Sequence, residues 1–176
     1  MAKLVYALNQ TLDGYIDHDA PGMVPTPALF QHFTDEVRGL AGSLYGRIMY
    51  ETMRYWDTDQ DSWDDAEREY AAVWRAQPKW VVSGTLEDVG PNATLIRDKV
   101  EAAASRLKAE VDGQIEVAGP TLAASLGDLI DEYQIYLHPV VTGGGKRYFA
   151  KARPPLKLAR NEDMGGGVIR LTYVPA

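Results

Sequence analysis

The sequence predicts an α/β protein with a central, mostly parallel β-sheet flanked by helices. Short β-branched and aromatic runs alternate with segments of helical spacing along most of the 176 residues, and this alternation is typical of a parallel sheet. The late strands follow one another closely enough to add antiparallel members. A hydrophobic content of 45% at this length predicts a single domain, residues 1–176, that buries a sizeable core.

Apolar spacing predicts the elements in order. A first strand covers 3–8, and a helix covers about 27–41, where Thr26 provides the N-cap and Pro27 the first helical position. The same two periodicities indicate the rest. Further strands are predicted at 43–45, 79–83, 114–117, 133–141 and 168–174, further helices at 47–53, 62–75 (opened by a capping box of Ser62 and Asp65), 100–111 and 121–129, and an exposed connection at 150–166.

Composition excludes several classes of function. The net charge is −7, and the segment 57–69 alone carries seven acids and one arginine, so the basic surface that nucleic acid requires is missing. The chain has no cysteine, which excludes disulfide scaffolds and fits a reducing compartment. No apolar run approaches the ~18 residues of a membrane span and the start lacks a signal-peptide core. We therefore expect a cytoplasmic protein without nucleic-acid or membrane partners.

Motif spacing argues against a metal site and against two common catalytic motifs. Asp57, Asp59 and Asp61 imitate the first ligands of a calcium loop, but Arg68 stands where the bidentate glutamate belongs. The histidines, His18, His32 and His138, show no ligand spacing. No GxSxG elbow and no P-loop occur. The sequence therefore predicts no metal.

Two strand ends are followed by glycine and a helix start. One is Tyr45-Gly46-Arg47, and the other is Ala118-Gly119-Pro120-Thr121. Glycine lets a phosphate approach backbone N–H groups, and ligands of open α/β sheets lie beyond the carboxyl ends of the strands. The two sites together could hold a dinucleotide pyrophosphate. Alternatively, each is only a tight connection between a strand and a helix.

Five segments, in this order and spacing, resemble the dihydrofolate-reductase-like family that includes the reductase domain of riboflavin biosynthesis, the RibD C-terminal domain. They span nearly the whole chain, which makes them more specific together than any one alone. They are ALNQTLDGYI at 7–16, YGRIMYE at 45–51, WVVSGTL at 80–86, VAGPTLA at 117–123, and LIDEY at 129–133 with HPVVTGGG at 138–145.

The resemblance implies a dihydrofolate-reductase-like fold that binds NADPH, with NADH possible, without a Rossmann fingerprint. It implies hydride transfer to a pyrimidine- or pterin-like heterocycle or a related carbonyl or imine, as in 5-amino-6-(5-phosphoribosylamino)uracil reductases. The alternative is a binding module of the same fold with little turnover. The implied cofactor residues are Gly46 and Arg47 at the phosphates, Ser83, Gly84 and Thr85 near the adenosine ribose, Gly119, Pro120, Thr121 and Leu122 at the pyrophosphate, Thr11 and Gly14 beside the nicotinamide, and Ala7 in the same site.

The family's pattern is not complete in this chain. Gly84 stands where many relatives carry an arginine or polar residue near the 2′-phosphate, which weakens the preference for NADPH. The first long helix lacks the acid that protonates dihydrofolate in true dihydrofolate reductases, since residues 28–32 read ALFQH. Folate is therefore not the expected substrate.

Asp13 is the best candidate for the proton donor, because it lies in the loop expected beside the nicotinamide. Asp13-Gly14 is equally an ordinary turn. Glu51, Tyr50 and Trp56 are the candidate substrate contacts, since aromatic rings can stack on a flat heterocycle, although aromatic residues on a short helix are more often core. The resemblance also suggests a homodimer, with the strand at 133–141 supplying apolar interface.

Overall fold

A computed structural model describes residues 1–17 and 19–176. One eight-stranded sheet runs through it in the order β4-β3-β2-β5-β1-β6-β8-β7. The first six strands in that order pair in parallel, and β8 runs antiparallel to both β6 and β7. The strands are β1 Ala2–Thr11, β2 Gly42–Gly46, β3 Lys79–Val82, β4 Ala93–Ile96, β5 Gly113–Ala118, β6 Glu132–His138, β7 Leu156–Asp163 and β8 Ile169–Pro175. The predicted fold class is confirmed.

The helices are α1 Pro27–Gly39, α2 Arg47–Met53, α3 Asp65–Ala76, α4 Val100–Glu110 and α5 Pro120–Leu126. Thr26 caps α1 as predicted, and its hydroxyl accepts the N–H of Leu29 at 3.2 Å. The predicted start of α3 at Ser62 is wrong. Asp64 is the N-cap, because its carboxylate accepts the Glu67 N–H at 2.8 Å and Glu67 accepts the Asp64 N–H in return.

Three strand predictions need correction. Strand β4 was not predicted, and β7 lies inside the segment 150–166 that was expected to be an irregular connection. Both form the edges of the sheet. β7 is mostly exposed and β4 is only partly buried, so neither needs the apolar alternation that reveals a strand. The predicted strand at 133–141 ends early, at His138, because Pro139 has no N–H for the ladder.

The two faces of the sheet differ in chemistry. One face, here called the apolar face, carries Leu4, Leu44, Ile115 and Val117, which pack with Leu107 of α4. Residues next to these along each strand point the other way, to a face that α1 and α3 cover. We call this the polar face. Its side chains include Asn9, Ser43, Lys79, Glu116, Gln134, Tyr136, His138, Arg170 and Thr172.

The predicted dimer interface is not available on β6. This strand lies between β1 and β8, and most of its side chains are buried within one chain. The explanation offered for a homodimer is therefore wrong, while dimer formation itself stays a prediction that light scattering can test. Nowhere in residues 1–17 and 19–176 is a helix long and apolar enough to cross a membrane.

Candidate functional site

The carboxyl ends of β2 and β5 meet at one edge of the sheet and bring two glycines together. A Cβ atom on Gly119 would lie 3.7 Å from the nitrogen of Gly46 and 3.8 Å from its Cα. Gly119 has a φ of +121°, which side chains rarely adopt. This point of the edge is therefore lined mainly by backbone, with the Leu122 side chain beside it, and the two glycines add no side chain that would hinder a ligand.

The helices that begin at this edge are short. α2 and α5 have seven residues each, so their contribution to anion binding is the unpaired N–H groups of the first turn rather than a long dipole. Arg47, at the start of α2, is exposed and forms an ion pair with Glu51 at 2.8 Å. The side chain predicted to face the phosphates is thus held by the side chain predicted to contact the substrate.

The segment after β3 forms a tight turn. The hydroxyl of Ser83 accepts the N–H groups of Thr85 at 3.2 Å and Leu86 at 3.0 Å, so it shapes the turn rather than pointing to a ligand. Gly84 and Thr85 are exposed. A Cβ at Gly84 would meet no atom within 4 Å, so this position has open space for a larger side chain.

Asp13 joins two loops. Its carboxylate accepts the Thr11 hydroxyl at 2.6 Å and the N–H groups of Gly143 at 2.7 Å and Thr142 at 3.3 Å. The hydrogen bond from Thr11, followed by those from the two N–H groups, holds the pKa of Asp13 below its ordinary value. An acid kept ionised in this way is a poor proton donor at neutral pH, so the structure does not support the catalytic role predicted for Asp13.

The predicted substrate contacts are dispersed. Tyr50 is buried in the core, and its hydroxyl accepts the Gly90 N–H at 2.8 Å, which leaves no ring face for stacking. Trp56 is partly buried in an aromatic cluster against Phe30, Trp63 and Tyr70. Glu51 is exposed beside Arg47. Tyr50 and Trp56 therefore pack in the core, which is the alternative that the sequence left open for aromatic residues on a short helix.

A family model of the RibD C-terminal domain matches residues 2–169. The chain belongs to the RibD C-terminal domain family. A relative of this family member, the uncharacterized protein YyaP of Bacillus subtilis (strain 168), is 28% identical over 181 aligned positions, which cover 97% of this chain and 94% of YyaP.

Solved structures share the fold of this RibD C-terminal domain. A putative riboflavin biosynthesis protein from a Shewanella species superposes with a TM-score of 0.72 at 22% identity, over 100% of this chain and 99% of that one. A Thermotoga maritima deaminase/5-amino-6-(5-phosphoribosylamino)uracil reductase gives 0.70 at 15% identity, over 99% of this chain but 57% of the other. A pyrimidine reductase-like protein from Corynebacterium diphtheriae gives 0.65 at 12% identity, over 98% and 91%.

The remaining predicted residues lie at the same edge of this family member. Thr11 is buried at the end of β1, Gly14 follows it with a φ of +94°, and Ala7 is partly exposed on β1. Pro120 and Leu122 are buried in α5, whereas Thr121 is exposed. In the described part of the chain, no group of three or more histidine and acidic side chains is arranged for a metal. His18 lies outside the described residues.

Sequence reasoning missed one titratable residue, Glu116 on the polar face. Most of the Glu116 side chain is surrounded by protein, and a small part of the residue is exposed. The Ser43 hydroxyl lies 3.1 Å from its Oε2. Desolvation raises the pKa of Glu116 to about 7. The available signal was the run QIEVA at 114–118. In this strand an acid lies between Ile115 and Val117, and no residue of the run is exposed, so the acid is not part of a solvent-facing strand.

Proposed function

We propose that this protein is an NAD(P)H-dependent reductase acting on a small pyrimidine- or pterin-like heterocycle, or on a related carbonyl or imine. The observation that carries the proposal is the contact of Gly46 with Gly119 at the carboxyl edge of the sheet. In a member of the RibD C-terminal domain family, a backbone-lined edge of this kind suits a dinucleotide pyrophosphate. Two structural relatives are named as reductases or reductase-like proteins.

The chain's own groups fit such a cofactor in three places. The N–H groups of the helix starts after Gly46 and Gly119 would bind phosphate oxygens; after Gly119 the first of them belongs to Thr121, because Pro120 has none. Arg47 would add a positive charge once released from Glu51. The turn at 83–85 would hold the adenosine ribose. Ala7, Thr11 and Gly14 would border the nicotinamide. When bound, a reduced nicotinamide supplies the hydride, and the protein supplies alignment, exclusion of water and a proton.

We expect NADPH to bind better than NADH, because Arg47 would reach a phosphate at the adenosine end. The margin should be modest, because Gly84 provides no cation for the 2′-phosphate. Titration with both nucleotides, followed by the fluorescence of the reduced nicotinamide, tests this. Gly84→Arg should raise the ratio of NADPH to NADH affinity by roughly ten- to a hundredfold, the value of one charge-assisted contact. Gly84→Ala is the matched control, since the added methyl also meets open space.

If the parent protein binds neither nucleotide, the proposed function is wrong. If Gly84→Arg leaves the ratio unchanged, the turn at 83–85 does not face the ribose.

A second candidate is a binding module that takes a nucleotide or heterocycle with little turnover. The observation that favours it is the set of hydrogen bonds that the Asp13 carboxylate accepts from Thr11, Thr142 and Gly143, which lower its pKa and make it a poor proton donor. Nucleotide binding without consumption of reduced nicotinamide in the presence of 7,8-dihydropterin would support this candidate over the reductase.

A further inference from the structure

Partial exposure of two β1 residues, Ala7 and Asn9, indicates a cleft on the polar face above the central strand. β1 lies between β5 and β6, and its first half is buried at Leu4, Val5 and Tyr6, yet Ala7 and Asn9 are partly exposed. A central strand is exposed only where the helices above it leave a gap. Strand register places Val5 beside Glu116, so Glu116 shares the polar face with Ala7. Glu116 is itself partly exposed and therefore lies at the inner end of the gap, two residues before Ala118.

Glu116 has no cationic partner in residues 1–17 and 19–176 that accounts for its burial. The titratable and polar groups around it are Ser43 and Tyr45 from β2, Gln77 and Tyr70 from the α3 region, Tyr136 from β6 and Glu36 from α1. Lys79, on the neighbouring strand, donates to the carbonyl of Gln77 at 2.8 Å and packs over the Trp74 ring. Neutral groups and one other acid around a largely enclosed carboxyl disfavour its ionised form, and they raise the pKa of Glu116.

A protonated Glu116 allows the two acceptors next to the Ser43 hydroxyl to be satisfied together. The Ser43 hydroxyl lies near two acceptors, Gln77 Oε1 at 3.0 Å and Glu116 Oε2 at 3.1 Å, and it has one hydrogen to donate. A protonated Glu116 donates to Ser43, Ser43 donates to Gln77, and Gln77 Nε2 donates to the Val37 carbonyl at 3.2 Å. After Glu116 loses its proton, Ser43 can turn its hydrogen to the carboxylate.

We propose that Glu116 is the proton donor for a heterocycle with a C=N bond, bound in the cleft over Ala7 and Asn9. This inference rests on the proposed function. The carbon of the C=N bond accepts the hydride, with its two electrons, from a reduced nicotinamide cofactor. The C=N π bond breaks, and its electron pair takes the proton of Glu116 at nitrogen, which gives an amine. The Glu116 carboxylate then accepts a hydrogen bond from the Ser43 hydroxyl until solvent returns a proton to the carboxylate.

The first test follows the carboxyl itself. In protein carrying ¹³C at the glutamate side-chain carboxyl, one resonance should titrate near pH 7 and should be absent from Glu116→Gln. Glu110→Gln, at an exposed position on α4, should keep that resonance. Ser43→Ala should move its midpoint upward, because the hydroxyl no longer stabilises the carboxylate. Normal titration of every glutamate near pH 4 to 5 would overturn the proposal.

The second test uses 7,8-dihydropterin, a heterocycle with a C=N bond, and its fluorescence. Binding to the parent should weaken about tenfold between pH 6 and pH 8, because the ring nitrogen needs a donor and ionised Glu116 offers none. Glu116→Gln keeps an N–H donor, so its binding should no longer depend on pH. Its rate of NADPH consumption should fall by about 10² to 10⁴, since an amide does not transfer a proton.

Equal pH dependence in the parent and in Glu116→Gln, or no binding of 7,8-dihydropterin at pH 6, would overturn the role of Glu116. NADPH binding is measured separately on both proteins. A parent that binds 7,8-dihydropterin with the expected pH dependence but does not bind NADPH would support the Glu116 cleft and reject the proposed function.

Discussion

The two faces of the same sheet are built for different tasks. On the apolar face, Leu44, Ile115 and Val117 are fully buried against α4 and α5. On the polar face, the neighbouring positions hold Ser43 and Glu116, whose burial costs free energy unless their polar atoms are hydrogen-bonded. The comparison teaches that the strands obtain their stability from one side and keep chemically useful groups on the other.

The polar face has one part in which the charged side chains form ion pairs and another part in which an acid, Glu116, forms none. Near β7 and β8, Arg170 binds Glu162 through two bonds of 2.9 Å and reaches Tyr136 at 3.3 Å. These bonds raise the pKa of Arg170 despite partial burial. His32 lies 2.9 Å from the same Tyr136 hydroxyl, and burial lowers the pKa of that histidine. This cluster fastens α1 to the sheet, whereas Glu116 has no cation to hold it ionised.

The largest effect should come from the apolar face. Ile115→Ala removes a fully buried side chain between two neighbouring strands and should lower the free energy of unfolding by about 2–5 kcal/mol. Thr94→Ala, at an exposed position on the edge strand β4, should stay within about 0.5 kcal/mol of the parent. Urea denaturation measures both. Similar losses in the two variants would mean that the apolar face does not dominate stability.

Glu116 should make stability depend on pH. Its folded-state pKa is raised from 4.5 to about 7. The protonated side chain therefore contributes its full share of the free energy of unfolding below the unfolded-state pKa, and this contribution is lost as pH rises through about 7. Between pH 5 and pH 8, the parent should lose on the order of 2 kcal/mol relative to Glu116→Gln. The difference between the two proteins is the quantity to compare, because His32 and His138, with lowered pKa values, act in the opposite direction.

Urea denaturation at both pH values measures this difference, with Glu110→Gln as the control. Parallel pH profiles for the parent and Glu116→Gln would show that the carboxyl titrates normally.

The glycine pair lies where the two faces meet, since Gly46 leads into α2 on the polar face and Gly119 into α5 on the apolar face. Gly46 has an ordinary φ of −73°, and an added Cβ would have contacts of 3.8 Å. Gly46→Ala should therefore fold normally, and its NADPH affinity should fall by roughly tenfold, or about 1.4 kcal/mol.

Gly119→Ala should in addition lose about 1–3 kcal/mol of stability, because its φ of +121° is strained for any other residue. Nucleotide titration and thermal unfolding separate the two effects. Unchanged NADPH affinity in Gly46→Ala would remove the pyrophosphate from this edge.

The parallel core was predictable because burial on both sides leaves a clear apolar pattern. Strands β2, β3 and β5 were expected at nearly their observed positions, and α1 was expected with its Thr26 cap. β7 was missed because an edge strand needs partners on one side only, and its sequence LKLARNED is mostly exposed. The apolar periodicity of a sequence reflects burial, so it does not reveal a strand whose side chains are mostly exposed.

The site was less predictable than the fold for the same reason. Gly46 and Gly119 could be placed at one edge, because parallel strands end together. The pairing of Arg47 with Glu51, the loop contacts of Asp13 and the burial of Tyr50 depend on side-chain packing that one sequence does not display. Glu116 was overlooked because an acid in a strand is ordinarily interpreted as exposed, and only the sheet order shows that β5 is interior.

The smallest predicted effect concerns the rim of the polar face, where Arg47 and Glu51 are both exposed and paired at 2.8 Å. An exposed pair of this kind contributes at most about 1 kcal/mol, and salt screens it. Glu51→Gln releases Arg47 for a phosphate and removes a negative charge, so NADPH affinity should rise two- to fivefold at low salt. Glu101→Gln, an exposed acid on α4, controls for the change in net charge and should leave the affinity unchanged.

A fall in affinity or in turnover for Glu51→Gln would instead show that Glu51 contacts the ligand, as its sequence position suggested. Since the exposed pair is screened and Glu116 is not, raising the salt concentration should remove the effect of Glu51→Gln and leave the pH dependence of Glu116 intact.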